Sequence, residues 1–402
     1  MKIVQLSTSL SGGAGIAAKR LNRALCSIGL NSQIFAISNK KIDLVDHEFI
    51  INRNKLKRLE SSLVTGIQAK LIQSGHSLVS PFSISSIKAN YQALQDADII
   101  HIHATFNLIS EKVLKDIFGM KKNIFMTMHD SRVFTGGCHT PLDCKNFKSN
   151  CSKCPQVMAP FRGFVENAFN KRLDTFSTNK VINLISPSSW LATEALESKV
   201  LKNRKIHIVR NPIPDIFAVQ NRKNSREKFK ILVNEVVVVF VAGDLSNPNK
   251  GISTLIEASR IVLGSANRNY RFIFVGKNLD ESELAGLKYE TLETNSDLQL
   301  AELLAAADIL IVPSLSDNSP NVIGEALMSG LMVAGSKIGG ITEVLREMNF
   351  PLFQVNDSHD LAEIIIKFDV DYNREIIKAK AKSVFSYSII ASKMEEIYSL
   401  QN

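Results

Sequence analysis

The 402-residue sequence contains only five cysteines, four of them within residues 138–154, so it is not a secreted disulfide scaffold. It has no apolar run approaching the roughly 18 residues that a membrane-spanning helix needs, since the longest, Val236–Ala242, has seven. The opening Met1-Lys-Ile-Val-Gln-Leu-Ser is too short an apolar stretch for a secretory signal and reads as a first strand, which makes a cytoplasmic location the expectation. No repeat and no low-complexity tract occurs. Hydrophobic residues at 45%, charged residues at 22%, 20 Gly and 11 Pro exclude a disordered, collagen-like or coiled-coil chain. At roughly 100–200 residues per domain, the length suits two or three compact units.

Charge is present but divided unevenly. The net charge is +9, yet residues 1–210 hold 29 Lys and Arg against 14 Asp and Glu, a net of +15, whereas residues 211–402 hold 19 against 25, a net of −6. A basic half suits phosphates, nucleic acid or an anionic membrane surface, and spacing has to choose among them. Lys40, Lys41, Arg53, Lys55, Lys57 and Arg58 precede a helical pattern of Leu59, Leu63, Ile67 and Leu71, the best candidate for a membrane-facing surface.

Short apolar segments alternate with helical patterns along the chain. Ile3–Leu6, Ser32–Ile37, Asp98–His103, Asn123–Met128, Val181–Ile185 and Ile206–Val209 read as strands of the first half. Val236–Ala242, Phe272–Val275, Ile309–Val312 and Leu331–Gly335 read as strands of the second. Val/Ile runs bounded by Gly and Asp suit parallel strands covered on both faces, so the expected fold is α/β with two Rossmann-like domains facing an interdomain cleft. Their seam is expected near Arg210-Asn211-Pro212-Ile213-Pro214, where prolines interrupt regular structure and the charge changes sign.

Two segments carry the strongest chemical signals. Ser11-Gly12-Gly13-Ala14-Gly15 follows the first strand and opens a helix over Ile16–Leu25; it reads either as an anion-binding helix start or as a tight turn without a ligand. Its spacing is not Gly-x-Gly-x-x-Gly, and no acid closes a second strand about 20 residues on, so it is a poor dinucleotide fingerprint. Farther along, Pro313-Ser-Leu-Ser-Asp317-Asn318-Ser319-Pro320-Asn321-Val322-Ile323-Gly324-Glu325 joins a strand end, a polar loop and a helix start, and Gly339-Gly340 follows it. Two carboxylates eight residues apart across such a junction can converge on a hydroxyl-rich ligand while helix amides face its anionic part.

The Asp317 to Glu325 string resembles the Glu-x7-Glu motif of glycosyltransferase family 4, retaining enzymes of the GT-B fold that use nucleotide-sugar donors. Ser11–Gly15, Ile185-Ser-Pro-Ser188-Ser-Trp190, Ile208-Val-Arg-Asn211, Asn249-Lys250-Gly251 and the closing pattern Phe385, Tyr387, Met394, Ile397 and Tyr398 resemble further segments of that family. The resemblance implies an acceptor-binding domain over 1–208, a donor domain over 209–382 and a helix over 383–402 that returns to the first domain. It implies that Lys250 meets the donor diphosphate, that Glu325 takes the ribose hydroxyls, and that Asp317 with the amides of Asn318, Ser319, Asn321 and Val322 takes the transferred sugar and diphosphate. Gly12 and Gly13 join this donor-binding set, and catalysis falls to His129, Asp317 and Lys250. The sequence departs from the family in two places: Asp317 replaces a glutamate, and Gly243-Asp244 stands where Gly-Arg is usual.

His129 follows the strand Asn123–Met128, where open α/β sheets bind ligands. His101 and His103 share one strand face and read as structural or acceptor-side residues, and Arg132 is a candidate second cation. Cys138, Cys144, Cys151 and Cys154 follow a Cys-x5-Cys-x6-Cys-x2-Cys spacing, which can hold a structural zinc or remain as reduced thiols. This segment also resembles an insert in polysaccharide-assembling members of the family. The expected activity is therefore transfer of a sugar from a UDP-, GDP- or dTDP-linked donor to a glycan or polyprenyl-diphosphate-linked acceptor, with no cofactor required for catalysis. It is set in O-antigen, lipopolysaccharide or capsule synthesis on the inner membrane face. A nucleotide-sugar 2-epimerase of the same fold, a transferase without activity and a zinc-knuckle nucleic-acid-binding protein are the alternatives, and nucleic acid is not the expected partner.

Overall fold

The computed structural model describes the chain except residues 38–43, 74–78, 180–181, 266–267, 285–286, 288, 295 and 401–402. The chain divides into two compact units: Met1–Pro212 with the residues from Ile390 onward, and Ile213–Ile389. The change of unit thus falls four residues beyond the expected 208, because Ile213 already belongs to the second unit: its N–H donates to Phe385 O at 2.8 Å.

The first unit contains β1 (Lys2–Ser7), α1 (Gly12–Ser27), β2 (Asn31–Ala36), β3 (Glu48–Ile50), α2 (Lys55–Leu71), α3 (Gln92–Gln95), β4 (Ile99–Ile102), α4 (Glu111–Phe118), β5 (Asn123–Thr127), α5 (Arg162–Ser177), β6 (Asn183–Ser186), α6 (Ser189–Glu197) and β7 (Ile206–Ile208). Its parallel sheet has the order β3-β2-β1-β4-β5-β6-β7. Consecutive connections leave β1 and β4 in opposite directions, so a crevice opens at their carboxyl ends. The core is formed by Val4, Leu6, Ile100, Ile102, Met126 and Leu184 on the strands with Leu114, Ile117 and Phe169 from the helices, all buried. Between β1 and α1 the chain turns so tightly that a Cβ on Gly15 would lie 2.5 Å from Ser9 O, which fixes glycine there.

The second unit contains α7 (Arg222–Lys228), β8 (Glu235–Asp244), α8 (Ile252–Ser265), β9 (Asn269–Lys277), β10 (Tyr289–Leu292), α9 (Asp297–Ala306), β11 (Ile309–Val312), α10 (Asn321–Met328), β12 (Met332–Ser336), α11 (Gly339–Met348), β13 (Leu352–Phe353), α12 (Ser358–Lys367) and α13 (Arg374–Phe385). The sheet order is β10-β9-β8-β11-β12-β13, with its own switch point between β8 and β11. Asp308 fixes that junction. Its carboxylate accepts from Val237 N (2.8 Å) and is neutralised by Arg222 and Arg226 at 2.6 and 3.2 Å.

The expected single helix over 383–402 is two. Phe385 ends α13, and α14 (Tyr387–Ser399) follows after Ser386, whose extended backbone ends the first helix. From Ile390 onward α14 belongs to the first unit, where Met394 and Tyr398 are fully buried.

Candidate active site

In the second unit, the positions on either side of the switch point carry the chemistry. After β8 a short turn, Pro248–Lys250, ends at Gly251, whose φ is +66° and whose Cβ would sit 1.9 Å from Pro313 O. Only glycine fits such a contact in that conformation. Leu315 N also donates to Asn249 O at 2.9 Å, so the turn after β8 is locked to the loop after β11. The consequence is that Lys250 Nζ meets Asp317 Oδ2 at 2.6 Å, with both side chains mostly shielded, 34% and 15% exposed.

Two helix starts lie at the same loop. α10 begins after Pro320, which offers no capping side chain, and α11 begins after Ile338, which offers none either. Gly340 N donates to Asp317 O at 3.1 Å and so brings the start of α11 to the loop. An uncapped helix start is a source of positive potential, and here two of them and an ammonium surround one carboxylate. Asn318, Ser319, Asn321 and Val322 line the loop and the first turn of α10, while Glu325, 5% exposed, lies one turn further in. Sequence reasoning quoted Gly339-Gly340 without giving it a role; its signal was a glycine pair immediately after a strand.

Asp244, where the family's arginine is usual, is exposed at the end of β8. Its Oδ1 accepts from Ser246 N (3.1 Å), Ser246 Oγ (2.7 Å) and Asn278 Nδ2 (3.2 Å), and these bonds, led by Ser246, lower its pKa. It closes a turn and adds no cation.

Gly12, Gly13 and His129 lie in the first unit, on the strand ends flanking its switch point. Gly12 and Gly13 open α1, for which Ser11 gives no side-chain cap. Ala14 and His129 line one hollow, together with His103, Thr105, Phe106, Asp130, Arg132 and His139. His103 Nε2 is 2.7 Å from Gln5 Oε1, and His103 Nδ1 is 3.1 Å from His129 Nε2. Because Gln5 Nε2 is committed to Asn22 and Ser32, its oxygen faces His103. In the neutral chain His103 therefore donates through Nε2 and accepts through Nδ1, and His129 donates through Nε2. Burial enforces neutrality: it lowers His129 to about 4, His101 to about 3 and His103 well below its usual value. His101, between Tyr398 Oη and Thr127 Oγ1 at 2.7 Å each, is structural. Sequence reasoning missed Gln5 and Tyr398, which lie far from the histidines along the chain.

The four clustered cysteines are free thiols, with Cys138, Cys151 and Cys154 buried and Cys144 half-buried. Burial pushes Cys151 up to about 12 and Cys138 well above the usual thiol value, and Cys138 Sγ accepts from Gln156 Nε2 at 3.1 Å. Among the described residues no group of three or more His, Cys, Asp and Glu side chains is placed to hold a metal ion. Besides burial, Cys154 and Cys144 raise Cys138, and Cys144 and Cys154 raise Cys151, so the four sulfurs share one neighbourhood. Cys151 and Cys154 are also part of the apolar core.

Residues 235–368 match the family described as Glycosyl transferases group 1. The gpi3 subunit of phosphatidylinositol N-acetylglucosaminyltransferase from Schizosaccharomyces pombe is 21% identical over 390 residues, 92% of this chain and 77% of its own length. Among solved structures, sucrose-phosphate synthase from Thermosynechococcus elongatus is similar at a TM-score of 0.70 and 16% identity, covering 100% of this chain and 99% of its own. HepE from Anabaena, in complex with UDP-glucose, is similar at 0.64 and 17%, covering 100% of both chains. The sheets, the family match and these likenesses together make the chain a glycosyltransferase of the GT-B fold.

Proposed function

We propose that the enzyme is a retaining glycosyltransferase that takes its sugar from a UDP-, GDP- or dTDP-linked donor and passes it to a glycan or polyprenyl-diphosphate-linked acceptor in bacterial surface polysaccharide synthesis. Lys250, oriented by Asp317 beside two helix starts whose N-cap residues give no side-chain cap, carries this reading, because an ammonium and two helix N-termini meet where a diphosphate would lie. The UDP-glucose complex of HepE supports a nucleotide-sugar donor.

In this reading Lys250 and the amides at the starts of α10 and α11 stabilise the diphosphate as its leaving oxygen gains charge. Glu325 accepts from the ribose hydroxyls, and Asp317 from the transferred sugar. The acceptor hydroxyl attacks on the face from which the diphosphate departs: the sugar–phosphate C–O bond breaks, the new C–O bond forms, and the departing phosphate oxygen takes the hydroxyl proton. No side-chain base is required, and positioning supplies much of the rate. His129, kept neutral by burial, faces the donor sugar in this reading.

A peripheral position on an anionic membrane is part of the same proposal. In α2, Ser61, Gln68 and Leu71 are buried while Leu56, Leu59, Leu63 and Ile67 are 71%, 58%, 59% and 53% exposed, so most of the apolar stripe faces outward. Lys55, Lys57, Arg58 and Lys70 accompany the stripe against a single acid, Glu60, whereas Arg53, expected to belong to this surface, is buried and takes no part in it. Lys40 and Lys41 lie outside the described residues. Among the described residues no helix is long and apolar enough to cross a membrane.

A thermal-shift screen against UDP-, GDP- and dTDP-sugars should raise the melting temperature with one nucleotide class. Product analysis should then find a glycosylated acceptor with the donor's anomeric configuration. Epimerised donor formed without acceptor, or tight RNA binding with no affinity for any nucleotide sugar, would overturn the reading.

A further inference from the structure

Between β5 and α5 the chain runs from Met128 to Phe161 through three single turns, Ser131–Phe134, Asn146–Lys148 and Ala159–Phe161. It is nevertheless packed, with Phe134, Phe147 and Val157 fully buried. Its links to the rest of the unit are isolated bridges, Val79 with Cys138 and Ile72 with Val157, and scattered single hydrogen bonds. So long a stretch without regular structure is uncommon inside a compact domain and calls for something that holds it. Cys138, Cys144, Cys151 and Cys154 are spread along its middle. The charge of Cys144 bears on each of the other three sulfurs, and that of Cys154 on Cys138 and Cys151.

Three of these sulfurs are surrounded by donors. The N–H groups of Thr140 and Gly136 point at Cys138 and Cys151, those of Gln156 and Val157 at Cys154, and Gln156 Nε2 donates to Cys138 Sγ at 3.1 Å. A neutral thiol is a weak acceptor, whereas donors aimed at a sulfur act fully once it is ionised. The cations Arg172 and Arg162 bear on Cys151 and Cys154. Cys151 also holds a left-handed backbone, φ +57°, which a residue with a side chain adopts at a cost. Burial and mutual repulsion oppose four thiolates by themselves, so the sulfurs stay protonated, and as thiols they are not gathered into a ligand set. None of the four lies on a helix or a strand, so side-chain rotation and small shifts of the turns can draw them together. His139, next to Cys138 in the chain, is committed to Asp130 and Ser80 at 2.7 Å each, which leaves sulfur as the ligand chemistry.

We propose that Cys138, Cys144, Cys151 and Cys154 together bind one zinc ion as tetrahedral thiolates, a structural site that staples the segment between β5 and α5. On binding, four S–H bonds break and four Zn–S bonds form, the protons pass to solvent, and the dication cancels the repulsion among the thiolates. All-sulfur coordination with a closing Cys-x2-Cys favours zinc over magnesium or calcium, which take oxygen ligands. The excess negative charge of the filled site is offset by Arg172, Arg162 and the N–H donors. Because Ser131 N donates to His139 O at 3.1 Å and His139 holds Asp130, the staple also steadies the turn that follows His129. The site does not rest on the transferase reading and supplies no step of the transfer.

Full-length protein purified under reducing conditions and reconstituted with zinc should carry one zinc per chain by elemental analysis after desalting. Titration of zinc into the reduced, chelator-treated protein should release about four protons, one per thiol, in calorimetry repeated in buffers of different ionisation heat. Cobalt in place of zinc should give the intense visible bands and sulfur-to-metal charge-transfer absorption of a tetrahedral thiolate site, and added zinc should bleach them. Cys144→Ser, at the half-buried position, should weaken zinc by more than the roughly 10–100-fold typical of a lost outer-shell partner. Cys26→Ser, outside the cluster, should leave zinc binding unchanged. Should variants of the buried cysteines fail to fold, Cys144→Ser and the cobalt spectrum decide. A zinc content near zero, a cobalt spectrum without sulfur bands, zinc affinity unchanged by Cys144→Ser, or disulfides among these cysteines in anaerobically purified protein would overturn the site.

Discussion

Lys250 Nζ and Asp317 Oδ2 stand 2.6 Å apart although 67 positions separate them in the chain. The two residues follow β8 and β11, the strands on either side of the switch point, and Gly251 seats one turn against the other. A lysine held by a carboxylate is oriented before any ligand arrives, and in the proposed reading a diphosphate competes with that carboxylate for it.

Lys250→Ala should lower kcat by about 10²–10³ with the donor found by screening, the loss typical of removing one preorganised charge-stabilising donor. Asp317→Ala should divide the parameters differently. On the proposed reading it removes a contact to the transferred sugar, so kcat falls, but it also removes a negative charge beside the diphosphate, so UDP binds as well as before or more tightly. Calorimetry with UDP alongside initial rates checks both, and weaker UDP binding by Asp317→Ala would contradict the assignment.

Gly251→Ala should destabilise the protein by at least about 1–3 kcal/mol, since the new Cβ meets Pro313 O in a left-handed conformation. The expected readout is a lowered Tm together with loss of activity close to that of Lys250→Ala. A Tm equal to wild type would show that the two turns are not locked as described.

Acid should weaken the first unit in two windows. His129, at about 4, and His101, at about 3, lie below the unfolded value of about 6.5, so the unfolded chain binds more protons between these values. Stability is full above about pH 6.5 and falls as the pH drops toward 4 and then 3. Burial alone would raise Asp130, but the charge and hydrogen bond of His139 and the Arg132 amide hold it at about 2. Its contribution is present above its unfolded value of about 3.9 and is lost toward pH 2. Urea unfolding as a function of pH should show the first window, and His129→Gln should flatten it; an unchanged slope would remove His129 from the chain of neutral imidazoles.

Leu59→Ser with Leu63→Ser should leave Tm within about 0.5 kcal/mol equivalent of wild type, because both side chains are exposed. The pair should nevertheless reduce sedimentation with phosphatidylglycerol-containing vesicles several-fold without changing UDP affinity. Vesicle binding unaffected by the pair would remove the stripe from the proposed membrane contact.

The sequence by itself determined the alternation of strand and helix, because buried parallel strands are written as continuous runs such as Ile309–Val312, which matches β11 in full. It missed β3, β10 and β13, edge strands of three, four and two residues with too little apolar signal to stand out. It marked Lys250, Asp317 and Glu325 as chemically meaningful, because loop and helix-start residues act through local backbone geometry that neighbouring glycines and prolines record. Only the tertiary structure decided which groups meet. It paired Lys250 with Asp317, added the start of α11, joined Gln5, His103 and His129 across three strands, and turned the leucines of α2 outward while Ser61 and Gln68 turned in. It also placed two of the clustered cysteines in an apolar core. A short sequence interval cannot encode such outcomes: contact between distant segments depends on strand order, and the burial of a side chain depends on what the rest of the chain packs against it.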